Sequence, residues 1–160
     1  MTGQEAIAYI HAQHWQQRAP GLGRMRRLLR LFVHVAGTNG KGSTCAMIAA
    51  ILGAAGYRVG LNTSPYLVTF HERIRVDGRM ISDEDLGRLT AQVRPAAESM
   101  DEPPTEFELI TAIALLYFLQ CSCDIVVLEV GLGGALDASN VIPPPEAAVI
   151  TAMGMDHAAV

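Results

Sequence analysis

"HVAGTNGKGSTCAMIAA", residues His34 to Ala50, decides the fold. Its centre, Gly37 to Ser43, holds only glycines, small polar residues and Lys41. The apolar run Leu31 to Ala36 precedes it and predicts a short buried strand. The run Lys41 to Ala55 is rich in alanine and long aliphatics and free of proline, which predicts a helix that Gly56 ends. A strand, a glycine turn and a lysine at a helix start form an anion-binding arrangement. Glycines let successive backbone N–H groups turn inward. The helix N-terminus adds partial positive charge. Lys41 supplies an ammonium that can reach the β/γ-phosphates of a nucleotide, and Ser43 or Thr44 can offer a hydroxyl to Mg²⁺. Lys41 is the only lysine, since the other basic residues are all arginine. A flexible stem with a point charge suits the crowded centre of such a turn better than a planar fork.

Outward from this turn, strands alternate with helices. Tyr57 to Asn62 predicts a second strand. Glu72 to Val76 and Arg79 to Ile81 flank Asp77-Gly78, a two-residue hairpin signal. Ser82 caps a helix that opens with acids and runs towards Met100. Asp101 to Pro104 is a linker, and Thr105 caps a helix through Gln120. Asp124 to Val130, "DIVVLEV", is the clearest buried strand, and "GLGGALDASN" follows as a glycine-rich loop. Ala147 to Thr151 is a last strand. Near the N-terminus, Glu5 to Gln17 predicts a helix, Ala19 to Gly23 a break and Arg24 to Arg30 a second short helix. The pattern predicts an α/β fold with a mainly parallel sheet of four strands flanked by helices. Trp15 and the methionines are assigned to the core.

Composition sets the bounds. The chain has 160 residues, is 50% hydrophobic and carries a net charge of −4, which fits a domain with a real core and no nucleic-acid partner. The crowded arginines Arg18, Arg24, Arg26, Arg27 and Arg30 read as a solvated helix face or as a patch for an anionic substrate. No apolar run reaches bilayer length, and the first residues lack the pattern of a signal peptide, which predicts a soluble, cytoplasmic protein with no membrane partner. Cys45, Cys121 and Cys123 are odd in number and read as reduced thiols.

The turn departs from the pattern G-x-x-x-x-G-K-S/T. Val35 occupies the first glycine position, and Gly42 follows the lysine, which delays the hydroxyl to Ser43. In this form "HVAGTNGKGST" resembles the ATP-binding loop of the folylpolyglutamate synthase/dihydrofolate synthase family, a Mur-ligase-like branch of ATP-dependent amide-forming enzymes. "TSPYLVTFHERIRVDGRMIS", "PTEFELITAIALLYF", "DIVVLEVGLGGALDASNVI" and "VITAMGMDHAAV" resemble further family segments, in the family's order. The resemblance implies a P-loop-containing, Mur-ligase central-domain-like fold, with residues 1–160 as a partial, truncated N-terminal ATP-binding domain. It implies ATP and Mg²⁺ as cofactors. The implied reaction belongs to folate biosynthesis and one-carbon metabolism: L-glutamate is ligated to a folate or dihydropteroate carboxylate through an acyl phosphate.

Site residues follow from the same resemblance. Gly37, Thr38, Asn39, Gly40, Lys41, Gly42, Ser43 and Thr44 would cradle the nucleotide phosphates. Ser64, Glu129 and His157 would hold the metal, with Lys41, Glu129 and His157 as the catalytic set. Phe107, Asp137 and Ala138 would contact the pterin. Glu129 also stands out unaided, because a carboxylate in a buried apolar strand is costly unless paired or bound to metal. Ala135 departs from the family pattern where arginine is usual, and Ala158 where threonine follows the histidine. A truncated sheet would leave an open edge for self-association. Two other readings remain open: a Mur-type amino-acid ligase, and a non-catalytic truncated nucleotide-binding fragment.

Overall fold

The computed structural model describes residues 31–154. The two helices predicted near the N-terminus, the predicted break between them, the arginine cluster, Trp15, His157 and Ala158 lie outside the described residues. A six-stranded sheet forms the centre. Its strands are β1 (Leu31–Ala36), β2 (Val59–Asn62), β3 (Ile74–Val76), β4 (Arg79–Met80), β5 (Ile125–Glu129) and β6 (Ala147–Ile150). Their spatial order is β4-β3-β2-β5-β1-β6. The run β2-β5-β1-β6 is parallel, as the sequence predicts, and β3 and β4 add an antiparallel hairpin at one edge. Helices α1 (Lys41–Ala54), α2 (Asp83–Glu98) and α3 (Glu106–Gln120) flank it.

Side-chain alternation along each strand divides the core in two. Val33, Val35, Val59, Leu61, Ile125 and Val127 cluster with Cys45, Ile48 and Leu52 of α1. Phe32, Ile74, Val76, Val126 and Leu128 cluster on the other face with Leu89 of α2 and Ile110, Ile113, Ala114 and Phe118 of α3.

The expected local signals form. Ser82 Oγ accepts from the Asp85 amide at 3.0 Å. Thr105 and Glu108 close a capping box at the start of α3. Asp77 and Gly78 both take positive φ, 50° and 76°, as a tight hairpin turn requires. Glu72 and Arg73 differ from expectation: they belong to a 3-10 turn, Phe70–Arg73, and not to the hairpin strand. The cause is the Glu72 carboxylate, which accepts from the amides of Leu67, Val68 and Thr69 and so curls the chain. A core role for the methionines is also corrected. Met47, Met80, Met100 and Met153 are all exposed, because they fall on the outer face of α1, on the edge strand, after α2 and after β6.

Gly60 on β2 is required by packing. A Cβ there would lie 2.7 Å from Cδ1 of the buried Phe118 ring. Gly60→Ala is therefore expected to cost about 1–3 kcal/mol, measured by urea unfolding. Phe118→Leu in the same chain should recover part of that loss, and strictly additive losses would contradict the clash.

Candidate functional site

The functional groups gather at the C-terminal ends of the parallel strands. After β1 the chain turns through Gly37 (φ 135°) and Gly40 (φ 83°), and Gly40 caps α1 in the left-handed conformation. Only glycine fits at Gly37, because a Cβ would collide with Thr151 Oγ1 just after β6. The turn is pinned from that side. The Thr38 amide donates to Ala152 O at 2.9 Å, and Thr38 Oγ1 exchanges bonds with the Gly154 backbone at 3.1 and 3.0 Å. Lys41 Nζ folds over the turn and donates to the carbonyls of Gly37 (2.9 Å) and Thr38 (3.2 Å). With these carbonyls engaged, the turn and the first turn of α1 carry positive potential.

Glu129 ends β5 against this potential. It follows Ile125 and Val127 on the α1 face and is 4% exposed. A Cβ on Gly42 would lie 3.5 Å from its Oε2, so the carboxylate sits directly against the start of α1. The Ser64 amide donates to Oε2 at 2.9 Å. Burial raises the Glu129 pKa above the ordinary glutamate value, while the Ser64 bond and the Lys41 charge pull it back. Cys45, one turn into α1, is fully buried. Burial first, and then the Glu129 charge, push its thiol up to about 12, so it stays neutral packing.

A second cluster lies on the opposite face of the sheet. Gly131 follows β5, and a Cβ there would lie 2.7 Å from Phe107 Cζ and 3.1 Å from Asp137 Oδ2. Its missing side chain is what brings aromatic ring and carboxylate together. Asp137 caps the 3-10 turn Ala138–Val141. Its Oδ2 accepts from the Leu132 amide at 2.8 Å, and its Oδ1 from the Ser139 amide at 2.9 Å and from Ser139 Oγ. Ser139 Oγ in turn meets His34 Nε2 of β1 at 2.8 Å.

Lys41, Gly42, Ser64 and Glu129 thus converge at one place, and Phe107, Asp137 and Ala138 at another across the sheet. Sequence reasoning misses three members. His34 and Ser139 carry no local signal. Arg73 has its guanidinium 5.3 Å from both the Tyr66 and Phe70 ring centres and 3.5 Å from Glu106 Oε1. It clamps the segment that begins at Ser64 onto the start of α3. Among the described residues no group of three or more His, Cys, Asp or Glu could hold a metal ion.

The profile of the Mur ligase middle domain matches residues 35–159. The chain belongs to that family. Within it, the chain is 47% identical to the dihydrofolate synthase/folylpolyglutamate synthase of Bacillus subtilis, over 96% of its own length and 39% of that relative. A solved FPGS–AMPPCP–folate complex aligns with a TM-score of 0.78 and 41% identity, covering 100% of this chain and 42% of that one. Escherichia coli FolC in complex with DHPP and ADP aligns with a TM-score of 0.77 and 38% identity, covering 98% and 39%. The chain therefore spans about two-fifths of the length of these curated relatives and solved chains. No helix among the described residues is long and apolar enough to cross a membrane.

Burial of Glu129 has a consequence for stability. A carboxyl whose pKa is raised in the fold binds its proton more tightly there than in the unfolded chain. Its stability cost is absent below the ordinary glutamate range and grows as pH rises through the raised value. Glu129→Gln keeps an acceptor for the Ser64 amide and removes the buried charge. The metal-free variant is expected to melt a few degrees above the wild type near roughly pH 8, with the gap closing towards about pH 4. Thermal melts across that range check this, and a variant that melts lower at every pH would contradict it.

Proposed function

We propose that this chain supplies the ATP-phosphate and Mg²⁺ site of an ATP-dependent ligase that joins L-glutamate to a folate or dihydropteroate carboxylate. The observation that carries the reading is Glu129: a buried carboxylate held against the start of α1, beside the glycine turn and the only lysine. A polar strand end facing a helix N-terminus is where nucleotide phosphates and their cation fit together.

The residues divide the work by chemistry. Backbone N–H groups from Gly37 to Thr44 receive phosphate oxygens. Lys41 exchanges its two carbonyl partners for the β/γ-phosphates and neutralises charge as phosphoryl transfer proceeds. Glu129 and the Ser64 hydroxyl offer hard oxygen donors for Mg²⁺, and the family resemblance adds His157, which lies outside the described residues. Magnesium keeps waters and phosphate oxygens in its shell, so so few protein ligands suit it. When bound, the ion supplies charge neutralisation at the phosphates. On the other face, Phe107 offers a ring face and Asp137 an acceptor to a flat heterocycle bearing N–H groups, beside the Ala138 backbone. The substrate carboxylate is a poor electrophile. Phosphorylation gives it a leaving group, and the amine of glutamate then displaces phosphate.

The relatives' named complexes with AMPPCP, ADP, folate and DHPP support this reading. A cytoplasmic location belongs to it, as does pairing of the exposed β6 edge with a second copy, for which Ile150 at 72% exposure offers apolar surface.

Calorimetric titration with ATP·Mg²⁺ tests the proposal. The wild-type chain should bind saturably, and Lys41→Ala should weaken binding at least about tenfold. Lys41→Arg should not restore it, because a planar fork does not fit the turn. No binding by folded wild-type protein, or binding indifferent to Lys41, would overturn the reading.

A further inference from the structure

Asp137 is held by more than its own loop. The contact from Ser139 Oγ to His34 Nε2 ties it to β1, three residues before Gly37. Ser139 is fully buried, so its hydroxyl has no water to turn to. The direction of each proton follows from donor chemistry. An ionised Asp137 only accepts, so the Ser139 hydroxyl proton points at Oδ1. The hydroxyl oxygen then has only lone pairs left for the imidazole, and His34 Nε2 must be the donor. Burial lowers the His34 pKa, although the Asp137 charge pulls the other way, so the ring is neutral with its proton on Nε2.

The relay also fixes which part of Asp137 remains available. An ionised carboxylate has about four acceptor sites. Oδ1 takes the Ser139 amide and hydroxyl, and Oδ2 takes the Leu132 amide. One site on Oδ2 is left over, on the oxygen that lies beside Gly131 and the Phe107 ring.

We propose that His34 and Ser139 are positioning residues: their part-buried hydrogen-bond relay holds Asp137 so that Oδ2 faces the Phe107 ring as the acceptor for an N–H-bearing flat heterocycle. This rests on the reading of Phe107 and Asp137 as the heterocycle site. The relay does not touch the ligand. It prevents the carboxylate from rotating, and it ties the heterocycle loop to the strand that feeds the phosphate turn.

Two measurements on the whole chain test it separately. The first is ¹⁵N NMR of the histidine rings, with His34 assigned by loss of its signals in His34→Gln. The wild type should show the neutral Nε2–H form at neutral pH with a slowly exchanging ring proton, and Ser139→Ala should lose that protection. An Nδ1–H ring, or a ring unaffected by Ser139→Ala, overturns the relay. The second is titration with pteroic acid in the presence of ATP·Mg²⁺. Ser139→Ala and His34→Phe should each weaken pteroic acid about tenfold while ATP·Mg²⁺ affinity stays within about twofold. His34→Gln, which can place an N–H near the height of Nε2, should recover most of the loss. If both ligands weaken together, the residues are merely structural and the proposal fails. If the wild type shows the relay by NMR yet binds no pteroic acid, the heterocycle reading fails, and the acceptor role of Asp137 fails with it.

Discussion

A buried carboxylate at a strand end is the constraint around which this structure is arranged. Alternation along β5 leaves Glu129 no choice of face: Ile125 and Val127 are bound to the α1 side of the core, and Glu129 must follow them. Removing that charge from water costs several kcal/mol before compensation. The fold provides partial relief through the Ser64 amide, the Lys41 charge and the first turn of α1. Relief is incomplete, since burial remains the dominant influence on the carboxyl. A carboxylate left in this condition costs stability, and perturbed groups of this kind cluster at functional sites.

The parts legible in the sequence are those set by local chemistry. Thr105 with Glu108, Ser82 with its following acids, and Asp77-Gly78 each specify a helix start or a turn within four residues, and each forms. Glu129 was legible because a carboxylate among branched aliphatics breaks the pattern of a buried strand. Sheet order was not: nothing local says that β5 inserts between β2 and β1. His34 was equally silent. It occupies an alternate position in an apolar strand, and its partner Ser139 is 105 residues away. Gly131 read as one more loop glycine, whereas its reason is the approach of the Phe107 ring. Arg73 falls in a segment that reads as hairpin, and only tertiary packing brings its guanidinium over the Tyr66 and Phe70 rings. The family resemblance supplied Phe107 and Asp137, and the structure then supplied the physical reason they lie together.

Two adjacent strands send their chains to opposite faces, and this opens the crevice. From the end of β1 the turn leads into α1. From the end of β5 the loop leads instead to the 3-10 turn that meets His34, on the α3 side. Sites form where neighbouring parallel strands diverge in this way. β1 and β5 are joined in register, His34 beside Leu128 and Val35 beside Glu129. Consecutive residues of β1 therefore serve both faces, His34 the Asp137 loop and Val35 the packing next to the carboxylate. A rigid strand shared between two subsites fixes their separation more tightly than any loop could. On the ligation proposed above, that separation sets how close a phosphoryl group comes to the substrate carboxylate.

The glycine turn shows how the same economy works at atomic scale. Its outer side is held by the segment after β6, through Ala152 and Gly154, and its inner side faces Glu129. The Gly37 and Thr38 carbonyls would oppose an anion if they pointed freely into the site. Lys41 donates to both of them, so the ammonium offsets their partial negative charge and holds the turn in its observed shape. A lysine brings one compact charge to two successive carbonyls, whereas an arginine would spread its donors over a planar fork.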